Sequence, residues 1–244
     1  MQPDFTIIVP FYKETAALAV ASHYFGTLGI EPIFALDSKQ IARRKEAEDI
    51  IGRPVAIYDN PGGFVESNFK QLAALSPTDW ILRVDCDEVP SLKMLDHCAR
   101  FVKRPTSNLC GYLRDDLLWR RDHFDKLKFS ALYFDTQFRL FDRTRVRFKH
   151  EIHTPGYHVP KWKLPLVPLW AAPPRARLYH LARTFVAPAQ RAARMEDRQD
   201  YQQGVGIAFR EWNLRPDETH EWERFDDPAF TRLFADWWKK HGDH

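Results

Sequence analysis

The stretch Trp80-Ile81-Leu82-Arg83-Val84-Asp85-Cys86-Asp87-Glu88 decides the fold. Five residues, four of them apolar, run straight into three carboxylates. A short apolar run bounded in this way reads as a buried parallel strand whose C-terminal end opens into a loop. Three more runs upstream have the same form: Phe5 to Pro10, Pro32 to Leu36 closing on Asp37-Ser38, and Pro54 to Tyr58 closing on Asn60-Pro61-Gly62-Gly63. Between them lie helical segments, Thr15 to Leu28, Lys39 to Ile51 and Glu66 to Leu75. The second is amphipathic, with Ile41, Ala42, Ala47, Ile50 and Ile51 on one side and Gly52 as its stop. Four strands alternating with helices over about the first 90 residues imply an α/β fold with a mostly parallel central sheet flanked by helices. Ligands of such sheets sit beyond the carboxyl ends of the strands. The loop from Pro10 to Glu14, Asp37, and the Asp85/Asp87 pair all fall at that edge. Asp and Pro also punctuate ordinary loops, but acidic residues ending two separate strands favour a site.

Composition narrows the partners. The chain has 244 residues, 28% charged and 44% hydrophobic, enough for one α/β domain with an appendage and unlike a disordered or fibrous chain. Its 36 basic and 33 acidic side chains leave +3, too small a surplus to argue for nucleic acid but compatible with a polyanionic small molecule. Cys86, Cys98 and Cys110 form no CxxC pair, so neither a zinc site nor a disulfide framework is suggested, and a reducing compartment is expected. The first residues carry no signal peptide pattern, and no window approaches the ~18 apolar residues of a membrane span. A cytoplasmic protein starting near Met1 is the expectation.

Beyond residue 100 the pattern loosens. Leu109 to Leu113 and Phe138 to Phe141 read as strands, and Asp142 to Lys149 as a basic, turn-like stretch. Five of the seventeen prolines, Pro160, Pro165, Pro168, Pro173 and Pro174, exclude a helix there. The Trp162 to Trp170 loop within that stretch is an acceptor platform or a packing arm. Ala187 to Gln203 and Pro228 to Lys240 return to helical patterning. The expected division is a main domain over 1–180, with a nucleotide-binding half over about 1–90 and an acceptor half over about 91–180, and a helical C-terminal extension over 181–244. Phe234 to Lys240 carries aromatic and basic residues suited to the inner face of a membrane; core packing or dimerisation explains them as well.

Asp85 and Asp87, one residue apart at a strand's end, point to the same side and can hold a hard divalent cation, Mg²⁺ or Mn²⁺, together with phosphate oxygens. Such an ion neutralises charge developing on a diphosphate leaving group. D-x-D alone is a weak motif, and its place directly after an apolar strand raises it.

At this point the chain resembles the family 2 glycosyltransferases of the GT-A fold. Thr6-Ile7-Ile8-Val9-Pro10-Phe11-Tyr12-Lys13-Glu14 looks like the family's strand-plus-loop opening, Asp37-Ser38 sits where its second-strand aspartate lies, and Asn60 through Ser67-Asn68 matches the turn and helix start before D-x-D. Phe138-Arg139-Leu140-Phe141 and His180 to Tyr201 look like elements of the subgroup that includes lipopolysaccharide core glucosyltransferases. The resemblance implies inverting transfer of a sugar from a nucleotide diphospho-sugar to a saccharide or glycolipid acceptor. It places Pro10, Tyr12 and Glu14 at the base and ribose, Asp37 on the base, Asn68 at the donor pocket, Asp85 on ribose or metal, and Asp87 on the metal. Lys13, where asparagine is usual, departs from the pattern.

An inverting transfer needs a base for the acceptor hydroxyl. Glu151 in Phe148-Lys149-His150-Glu151-Ile152-His153 is the first candidate, followed by Asp115, Asp116 and Asp135. His180 is a candidate nitrogen ligand beside Asp87, ahead of His153, and Arg183 can reach a diphosphate. Two rivals stand. A sugar nucleotidyltransferase would carry a glycine-rich loop where this chain has Phe11-Tyr12-Lys13-Glu14. A catalytically inactive GT-A scaffold would have no need of Asp37, Asp85 and Asp87.

Overall fold

The computed structural model describes residues 4–60, 65–128, 136–149, 173–186 and 220–242. Four strands, β1 (Thr6–Phe11), β2 (Ile33–Asp37), β3 (Ala56–Tyr58) and β4 (Trp80–Arg83), form a parallel block in the order β3-β2-β1-β4. In register, Pro10 lies beside Ala35 and Ile8 beside both Ile33 and Arg83. All four strand ends therefore open at one edge of the sheet, as the sequence predicts.

The sheet then continues with antiparallel neighbours. Strand β8 (Thr136–Asp142) pairs with β4, and β6 (Leu109–Arg120) pairs with β8 through Leu109–Leu113. Over Leu113–Asp116, β6 runs parallel to β9 (Arg177–His180), and over Leu117–Arg120 it pairs with β7 (His123–Leu127). Strand β5 (Glu88–Pro90) pairs with β9, and β10 (Trp222–Arg224) with β7. The C-terminal segment thus adds a strand to the sheet as well as a helix. The long β6 and the β6/β7 hairpin exceed the strand read over 109–113. Their turn is Arg121-Asp122, with Arg121 at φ 56, so it lacks the Asn-Gly or Asp-Gly signature that marks a tight hairpin in sequence.

Helices cover both faces. On one side Ile7, Val9, Leu36 and Leu82 pack with Leu18, Tyr24 and Phe25 of α1 (Thr15–Thr27), Met94 and Cys98 of α4 (Leu92–Lys103), and Phe230, Phe234 and Trp237 of α6 (Pro228–His241). On the other, Ile8, Ala35 and Ile81 pack with Phe69, Leu72 and Ala73 of α3 (Phe69–Ala74). This alternation is the two-residue period of a strand buried on both sides. Each fully buried side chain of Phe or Leu size contributes about 1.5–3 kcal/mol. Helix α4 begins at Ser91, whose hydroxyl accepts from the Met94 N–H, a start the sequence reading passed over.

The amphipathic helix expected over 39–51 is divided. A 3₁₀ segment, Ser38–Arg43, precedes α2 (Arg44–Ile51), with Gln40 outside helical geometry at φ −110 and ψ 22. The Asp37 carboxylate accepts the Lys39 N–H and tightens this first turn, leaving Ile41 52% exposed and Ala47 the buried residue of α2. Of the readings open for Phe234 to Lys240, core packing holds for Phe234 and Trp237, which are buried among Trp119, Phe124 and Phe185. Among the described residues no helix is long and apolar enough to cross a membrane. The helix expected over 187–203 and the Trp162 to Trp170 loop lie outside the described residues.

Candidate functional site

The site is built where β1, β2 and β4 end. After β1 the chain folds back on Glu14, whose Oε2 accepts the Tyr12 and Lys13 N–H groups at 3.1 and 2.9 Å. The Cys86 thiol donates to the same oxygen at 3.8 Å, and burial pushes that thiol's pKa well up, so it serves as a neutral donor. Arg43 Nη1 donates to the Lys13 carbonyl at 3.0 Å and ties this loop to the segment after β2. Tyr12 is 37% exposed at the rim, while Pro10 is buried within β1.

At the end of β2, Asp37 is 2% exposed. Its Oδ2 accepts from Asn60 Nδ2 at 2.5 Å, and Asn60 Oδ1 accepts from Asn68 Nδ2 at 2.5 Å. The chain of amides is directional: Asn68 sets the orientation of Asn60, which then presents its NH₂ to the carboxylate. A buried carboxylate held in this way accepts hydrogen bonds and donates none. Burial pushes the neighbouring Tyr58 hydroxyl well up, and the charges of Asp37, Asp85 and Glu14 add to it.

Beyond β4, Asp85 accepts from Arg83 Nη1 at 2.6 Å and from Arg139 Nη2 at 2.7 Å, and stays one-third exposed. The same Arg139 nitrogen bonds Glu88 Oε1 at 2.5 Å, and Glu88 Oε2 accepts the Asp85 N–H at 3.1 Å.

Asp87, His180 and Asp116 form a second group. Strand pairing assembles it, since His180 is the register partner of Glu88 across β5/β9 and of Asp116 across β6/β9. His180 Nδ1 bonds Asp116 Oδ1, and its Nε2 faces Asp87 Oδ2 at 3.5 Å. Burial and the Arg114 charge push the imidazole down, but Asp116 and Asp87 outweigh them and hold its pKa at about 10. For both carboxyls burial pushes upward; His180 with Arg114 overcomes it, and each lies below the usual range. Asp115, the residue before Asp116, has its carboxylate 3.6 Å from Arg177, and burial keeps its pKa raised. Asp115 thus faces an arginine and Asp116 an imidazole. Arg183 of α5 (Ala182–Phe185) is buried with its guanidinium 5.9 Å from the Trp222 ring, and its charge acts on Asp116. Glu151, Asp135 and His153 lie outside the described residues.

Among the described residues, Asp87 and His180 are the pair that could hold a divalent cation, in place of the ion pair they now form. Two ligand atoms on adjacent positions of an octahedral ion with bonds of ~2.0–2.1 Å lie about 3 Å apart, close to the separation seen here. A carboxylate on the far nitrogen, the place Asp116 holds, is the usual support of a ligating imidazole. Binding would displace the Nε2 proton. Asp85 differs, having each carboxylate oxygen on a guanidinium. Among the described residues no three His, Cys, Asp or Glu groups converge as a cage, so the remaining positions of an ion would fall to ligand oxygens and water.

The structure brings the sequence candidates Asp37, Asn68, Asp85, Asp87 and His180 to one edge, and Arg114, 3.8 Å from both Glu88 and Asp116, links the last two groups. Sequence reading passed over Asn60, Glu88, Arg114 and Arg139 as site residues. Asn60 and Arg139 lay in segments already noticed, but nothing in their spacing named their partners.

No protein-family model and no curated protein matches the chain. Among solved structures it is similar to residues 1–349 of S. aureus TarS, at 13% identity and a TM-score of 0.42, covering 88% of this chain and 69% of that one. The same protein in complex with UDP-GlcNAc gives 12% and 0.44, covering 88% and 70%. HddC from Yersinia pseudotuberculosis gives 7% and 0.38, covering 72% and 93%. At such identities and TM-scores these are partial likenesses that assign no activity.

Proposed function

We propose that the chain is a glycosyltransferase that moves a sugar from a nucleotide diphospho-sugar to an acceptor hydroxyl with inversion. The observation that carries the reading is the convergence of Asp37, Asp85 and Asp87, from two separate strand ends, on one edge of a parallel sheet, each held by its own buried partners. Asp37 accepts an N–H of the donor's base. Asp85, aimed and partly exposed, accepts a hydroxyl of the donor. Asp87 and His180 would hold a Mg²⁺ or Mn²⁺ ion, which when bound would supply positive charge to a diphosphate leaving group. The acceptor oxygen attacks the anomeric carbon from the face opposite the diphosphate, the bond to the diphosphate oxygen breaks, and a carboxylate, for which Glu151 is the candidate, takes the hydroxyl proton. Three buried free thiols support a reducing, cytoplasmic setting.

Thermal shift with a panel of UDP-, GDP-, dTDP- and CMP-sugars in Mn²⁺ tests this, since ligand at 100 times its dissociation constant adds about 2.7 kcal/mol. Stabilisation by one nucleotide class, with slow release of its nucleoside diphosphate, is expected. A chain that neither binds nor hydrolyses any of them is not a glycosyltransferase.

A further inference from the structure

We infer that Arg139, through its buried pair with Glu88, is a positioning residue that aims the Asp85 carboxylate at the donor and keeps it from metal duty; this rests on reading the site as one for nucleotide sugars. The register of β4 against β8 pairs Leu82 with Leu140, so the next pair is Arg83 with Arg139. Two arginines opposed across a strand pair repel unless an anion lies between them. Asp85 is that anion, with Oδ1 on Arg83 and Oδ2 on Arg139. Glu88 holds the arrangement from behind, giving one oxygen to Arg139 and the other to the Asp85 N–H.

The side chains of Arg139 and Glu88 are 2% and 1% exposed. Burying an ion pair this deeply repays little in stability, because desolvation offsets the attraction. Its effect lies in what it orients. The Asp85 side chain, at 33% exposure, is more open than Arg83, Arg114, Arg139 or Glu88. Since each of its oxygens already faces a guanidinium, it is suited to accept a hydrogen bond from a hydroxyl and ill suited to hold a cation, which leaves the ion to Asp87 and His180.

A double-mutant cycle tests the inference. Dissociation constants for the preferred nucleotide sugar are measured by calorimetry for the parent, Arg139→Met, Asp85→Asn and the double variant, with kcat and KM alongside. Because Met leaves the buried Glu88 carboxyl only Arg114, 3.8 Å away, Arg139→Met/Glu88→Gln is carried as a variant without that carboxyl, its folding checked by circular dichroism, and Arg139→Lys as the conservative replacement. If Arg139 acts through Asp85, Arg139→Met and Asp85→Asn each weaken binding by about tenfold or more, the double variant is no weaker than either, and Lys recovers most of the loss. Losses that add, or binding unchanged in folded Arg139→Met/Glu88→Gln, overturn the positioning role while leaving the nucleotide-sugar reading in place. A parent that binds no nucleotide sugar overturns that reading and the inference with it.

Discussion

Asp116 accepts the Nδ1–H of His180 across the parallel pair of β6 and β9, where the two residues are register partners. The contact removes Asp116 from the carboxylates free to act as a base and makes it the support of the imidazole. Replacing Asp116 by Asn keeps the shape but loses the charge. Mn²⁺ affinity, followed by the electron paramagnetic resonance of the free ion, should fall about 10–100-fold. Unchanged affinity would take His180 out of the metal assignment.

If Asp37 contacts the base, it does so in ground and transition states alike, and Asp37→Asn should weaken nucleotide binding about 10–100-fold with little change in turnover at saturation. Asn60→Ala removes one hydrogen bond to the carboxylate and its orientation by Asn68, and should weaken binding by a smaller factor, about threefold to tenfold. Equal turnover and KM in Asp37→Asn and the parent would move the base elsewhere.

Glu151→Gln preserves shape and hydrogen-bonding reach but takes up no proton. Turnover should drop by about 10²–10⁴ while nucleotide affinity stays near the parent's. A change within about threefold would move the search to Asp135 and Asp115, ahead of Asp116, whose carboxylate bonds His180.

His97, whose Nδ1 lies 3.1 Å from the Tyr112 hydroxyl, has its pKa lowered first by burial and then by Arg100, against a weaker pull from Asp96. The unfolded chain therefore binds this proton more readily than the folded chain. The stability linked to His97 is complete above about pH 6.5 and is lost as pH falls from there toward the lower folded value. Urea midpoints of the parent should decline more steeply between pH 7 and 5 than those of His97→Gln. Parallel curves would contradict the shift.

Phe234 is fully buried on α6, with its ring centroid 4.6 Å from Phe124 and 4.9 Å from Trp119. Phe234→Ala should cost about 3–5 kcal/mol of unfolding free energy. A loss below about 1 kcal/mol would mean that α6 is not docked on the sheet in solution.

What the sequence alone determined is the parallel block and the acids that end its strands. Each of the four strands lies within a residue or two of the apolar run that announced it, because a buried strand bounded by Pro, Gly or Asp is a local signal. Asp37, Asp85 and Asp87 were legible for the same reason. Where local features competed, the reading failed: the Asp37 carboxylate on the Lys39 N–H divided a helix that periodicity alone joined. Tertiary structure decided the partners. Asp116 and His180 are 64 residues apart, Arg139 and Asp85 are 54, and each pair meets only because strand registers bring them together. Register follows from which face of every strand is buried across the whole sheet, a condition no short stretch of sequence contains.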